Sequence, residues 1–63
     1  MSKHEARQIE MIRQYVRLGM DDTAARSLSS LVRSARSEKS RAELMKLAGP
    51  QGFGLINHPE FIA

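Results

Sequence analysis

Leu18-Gly19-Met20-Asp21-Asp22-Thr23-Ala24-Ala25 is the corner of this 63-residue chain. Two runs with helical apolar periodicity meet there across a glycine and a pair of aspartates, so one helix stops, the chain turns and another starts. Gly19 suits the position just past a helix end, where a left-handed backbone costs other residues more. In that register Met20 can touch Tyr15, the hydrophobic contact that often accompanies such an ending. Asp21 or Asp22 is placed to accept from the free amides of the next helix and to complement its positive end. Asp22 and Arg26 form an i,i+4 pair of the favourable polarity. A link this short leaves its two helices antiparallel or sharply crossed.

Upstream of the corner the pattern predicts a helix over 3–18. Ile9, Ile12 and Val16 fall in one narrow sector, and Met11, Tyr15 and Leu18 widen it to about half the circumference at 100° per residue. Arg7, Glu10, Arg13, Gln14 and Arg17 take the other half, and Glu10 with Arg13 is an i,i+3 ion pair. Downstream, a helix over about 22–36 gathers Ala24, Leu28, Leu31, Val32 and Ala35 in one stripe, with Ala25 on its edge. Its opposite face is Arg26, Ser27, Ser29, Ser30, Arg33, Ser34 and Arg36.

After Ala35 the stripe loses phase. Continued as one helix, it would bring Lys39, Glu43 and Lys46 onto the apolar face. A break removes the conflict, and Ser40-Arg41-Ala42-Glu43 reads as a capping box opening a third helix over 41–48, ended by Gly49-Pro50. The alternative is one helix from Asp22 to Ala48 whose far half packs on the tail or a second subunit. The tail, 51–63, carries Phe53 and Phe61 of the three aromatics, a richness at odds with a disordered segment. It is expected to pack partly on the helices or to serve as an exposed docking peptide. The fold class is therefore all-α: a helical domain over 1–50, built on an antiparallel hairpin plus a short third helix, with a partly docked apolar tail over 51–63.

Size bounds the rest. A single domain this short buries only about 60% of its unfolded surface, so its core is marginal. Disulfides, metals and self-association are the usual remedies. No cysteine is present, which removes disulfides and thiolate metal sites and leaves oligomerisation. No apolar run approaches the roughly 20 residues of a membrane helix, and the charged N-terminus lacks the apolar stretch of a signal peptide. Together these point to a cytoplasmic protein with no membrane partner.

The net charge is +3, and all ten basic residues lie between Lys3 and Lys46. Arg26, Arg33 and Arg36 on the outer face of the second helix are candidate phosphate contacts for DNA or RNA, since a glycine turn before an arginine-bearing helix is one way to present a recognition helix. Tyr15 weighs against that motif, because it stands where close packing of such helices favours a small residue. The apolar half-cylinder of the first helix is wider than the stripe facing it. Met11, Tyr15 and Leu18, with Phe53 and Phe61 in the tail, are thus the candidate protein-binding residues.

No catalytic, metal or cofactor site is expected. His4 and His58 lie near opposite ends without metal-ligand spacing, and no serine has a histidine in sequence to activate it. The reading is a small non-catalytic protein that binds another protein and forms a homodimer. A small nucleic-acid-binding regulator is the alternative.

Overall fold

The computed structural model describes residues 2–62. Three helices follow in order, α1 (Lys3–Arg17), α2 (Asp21–Ser34) and α3 (Glu38–Ala48), and the described residues form no strand. The fold is all-α, with α1 and α2 joined as a hairpin at the expected corner.

That corner is a Schellman ending. Leu18 caps α1, Gly19 takes φ +77°, the Met20 amide donates to the Tyr15 carbonyl at 2.8 Å and the Gly19 amide to Val16 at 3.1 Å. Both bonds satisfy carbonyls that a helix end otherwise leaves without partners. The tie between Met20 and Tyr15 thus runs through the backbone. The aspartates do not cap α2 as expected. Met20 holds the N-cap position without a side-chain cap bond, and Asp21 and Asp22 already lie in the first turn. From there they still favour the positive helix end. Arg26 does not pair with Asp22 either; a partner from the tail takes it.

The phase break after Ala35 is real. Ala35 and Ser37 are both extended, with ψ of 132° and 155°, and they separate α2 from α3. The new helix begins earlier than the expected capping box at Ser40–Glu43. Ser37 Oγ accepts from the Ser40 amide at 3.1 Å, so Ser40 lies inside the first turn and cannot cap it. A capping box does occur at the start of α1, where Ser2 and Glu5 bond each other's backbone amides. One rule, Ser followed three residues later by Glu, fits both places. At the second, a serine three residues upstream captures the helix start first.

The core joins Ile9 and Ile12 of α1, five residues of α2 (Ala24, Ala25, Leu28, Leu31 and Val32), Leu44 and Ala48 of α3, and Leu55. Helix α2 is central and packs on both neighbours, and its small alanines allow close approach. The tail rolls back over the end of α3. The Phe53 amide donates to the Leu47 carbonyl at 2.6 Å, and those of Leu55 and Ile56 donate to Ala48 at 2.8 and 2.9 Å. A Cβ on Gly52 would overlap the Leu47 backbone, so this wrap needs glycine there. It brings Leu55 into the core and sets Phe53 and Phe61 against it, half-buried.

Candidate functional site

The candidate protein-binding residues divide into two groups. Tyr15, Phe53 and Phe61 are half-buried against the core, and the Arg13 guanidinium lies 5.5 Å from the centroid of the Phe53 ring. Met11 and Leu18 are 43% and 72% exposed. They stand seven residues apart, two helical turns, and so fall on one line of α1. Met20, 43% exposed, adds to the apolar surface at the corner. Neither α3 nor the tail covers this line. Helix α3 packs on α2, and Phe53 meets α1 on the side of Arg13.

The polar face of α2 holds the tail. Ser29, expected among the solvated residues, is 1% exposed: its hydroxyl accepts from the Ile62 amide at 2.7 Å and donates to the Glu60 carbonyl at 3.3 Å. Arg26 pairs with the Glu60 carboxylate at 3.0 Å, and His58 Nε2 lies 3.0 Å from Asp22. Asp22, Arg26 and Ser29 follow an i, i+4, i+7 spacing, so one strip of α2 grips alternate residues 58, 60 and 62. His58 Nδ1 accepts from the Glu60 amide at 3.0 Å, which fits a neutral ring carrying its proton on Nε2 toward Asp22.

Asp22, His58 and Ser29 belong to one clasp but do not form a nucleophilic triad. The imidazole nitrogens are spent on Asp22 and the Glu60 amide, while the buried hydroxyl is spent on backbone. Nothing in the clasp would draw the Ser29 proton toward a base. Among the described residues no group of three or more His, Cys, Asp or Glu is placed to hold a metal ion.

Arg33 and Arg36 are exposed and form no ion pair among the described residues. An open groove of about 430 Å³ runs between His4 and Gln8 of α1 and Arg26, Ser27, Ser30 and Ser34 of α2. Among the described residues no Asp or Glu lines it. A second hollow of about 530 Å³ shares His4 and Ser34 and adds Arg36, Ser40 and Glu5. No described helix is long and apolar enough to cross a membrane.

Compared with protein families, curated proteins and solved structures, the chain finds no match.

Proposed function

We propose that this chain is a small non-catalytic, cytoplasmic protein that works by binding protein, and that its first partner is a second copy of itself. The observation behind this reading is the line of Met11 and Leu18 on α1, left uncovered while the rest of the wide apolar face is packed. A marginal core and the lack of cysteine add a thermodynamic motive, since association buries surface that one copy leaves wet. Sedimentation equilibrium tests it. The expected mass at high protein concentration is about twice 7.1 kDa. A mass that stays monomeric at every concentration overturns self-association.

The groove that holds Arg26 supports a second reading, nucleic-acid binding through Arg26 together with the exposed Arg33 and Arg36. In this reading Glu60 must first give up Arg26. Binding to random duplex would fall steeply with added salt, because each phosphate contact releases a counterion. No binding at low salt removes it.

A further inference from the structure

The exposed side of α1 carries a pattern that fixes how two copies would meet. With Ile9 and Ile12 turned into the core, the open arc of α1 centres near Arg7 and Gln14, and Met11 and Leu18 lie on one side of it within about 60° of Gln14. Glu10 and Arg17 border the same arc, and Asp21 stands just past the corner; all of these are exposed. Arg7, Glu10, Gln14 and Arg17 are spaced three, four and three residues apart along one stripe of α1, and Asp21 follows at the start of α2, beyond the Gly19 corner. Their charges run plus, minus, neutral, plus, minus.

Read against itself in the opposite direction about Gln14, this series is complementary. Glu10 faces the partner's Arg17, Gln14 meets its own copy, and Arg7 lies toward the partner's corner, where Asp21 stands. Met11 then lies over the partner's Leu18. In a parallel pair every charge would face its like, which is destabilising. Glu10 keeps Arg13 at 3.1 Å within its own helix, yet its side chain stays 64% exposed and open to a second cation.

We propose, resting on the self-association reading above, that two copies pair α1 to α1 in antiparallel fashion about a two-fold axis at Gln14. Each copy contributes the same patch, so the contact closes on itself and stops at two. One helix pair buries less than the roughly 1,600 Å² of a standard interface, so the dimer is weak and reversible.

Charge exchange tests the arrangement. The double variant Arg7→Glu, Arg17→Glu makes the flank wholly acidic, and Glu10→Lys, Asp21→Lys makes it wholly basic. Each alone is expected to sediment as a monomer, while a one-to-one mixture associates. If the parent dimerises but the mixture does not, or if each variant still dimerises alone, the α1 seam is overturned and self-association survives. A monomeric parent removes both. As a check independent of charge, Gln14→Cys introduces the chain's one thiol and should oxidise to a covalent dimer severalfold faster than Lys39→Cys, exposed on α3. Equal rates also overturn the seam.

Discussion

Ser29 and Ile62 are joined by a 2.7 Å hydrogen bond between residues 33 apart in sequence, with the hydroxyl in the middle of a helix and the amide near the chain's end. The same hydroxyl donates to Glu60, so one small side chain answers two backbone groups of the tail. Ser29→Ala is expected to cost about 1–3 kcal/mol, the usual penalty for orphaning a buried hydrogen-bonding group. Chemical denaturation measures the loss, and the Ile62 amide resonance should move toward its random-coil position. An unchanged amide resonance would show that the clasp does not form in solution.

Leu28 is fully buried at the centre of α2, where it meets the rest of the core. Leu28→Ala should cost about 2–5 kcal/mol, enough to unfold so small a domain. Leu18→Ala, at an exposed position, should leave a monomer's stability within about 0.5 kcal/mol and weaken association instead. Thermal melts at low and high protein concentration separate the two effects. A cooperative melt of Leu28→Ala matching the parent's would contradict the core described above.

Gly19 has open space around it and a φ of +77°, so substitution there strains backbone without crowding. Gly19→Ala is expected to destabilise by about 1–2 kcal/mol through that conformation alone. Asparagine, which tolerates left-handed backbone better, should recover part of the loss. Equal stability of the alanine variant and the parent, read from urea midpoints, would argue against the Schellman corner.

Ser37→Ala should cost about 1 kcal/mol by removing the cap of α3, whereas Ser40→Ala should be near neutral because Ser40 gives only its amide. Helicity by circular dichroism and urea midpoints rank the pair. The reverse order would put the start of α3 back at Arg41.

In its neutral form His58 is expected to carry the proton on Nε2, since Nδ1 accepts from Glu60. Imidazole nitrogen shifts at neutral pH report this directly. A proton found on Nδ1 would break the clasp as drawn.

Local rules made the corner, the apolar faces and the phase break legible. Each depends on residues within a turn or two of one another, as with Gly19 and Tyr15 or Ala35 and Lys39. The start of α3 was less so, because Ser37 and Ser40 are both favourable N-cap residues and only the built helix selects one. Asp22 and Arg26 have good spacing for each other, yet tail residues outcompete that exposed pair. The role of Ser29 was hidden for the same reason: helical periodicity marks which way a side chain points, not which distant segment comes to cover it. Among the candidate binding residues, periodicity placed Met11, Tyr15 and Leu18 on one broad face. The packing that buries half of Tyr15 and leaves Leu18 bare depends on the width of α2, a tertiary quantity.

The three extended or irregular residues from Ala35 to Ser37 divide the helices into two units. On one side lies the hairpin. On the other lie α3 and the wrap that seals its last carbonyls, bound to each other by backbone. The second unit has fewer core residues and is held to the first by the face of α2 and by the Ser29 clasp. Slow hydrogen exchange should therefore resolve two steps, with α3 and the tail opening together at lower free energy than the hairpin.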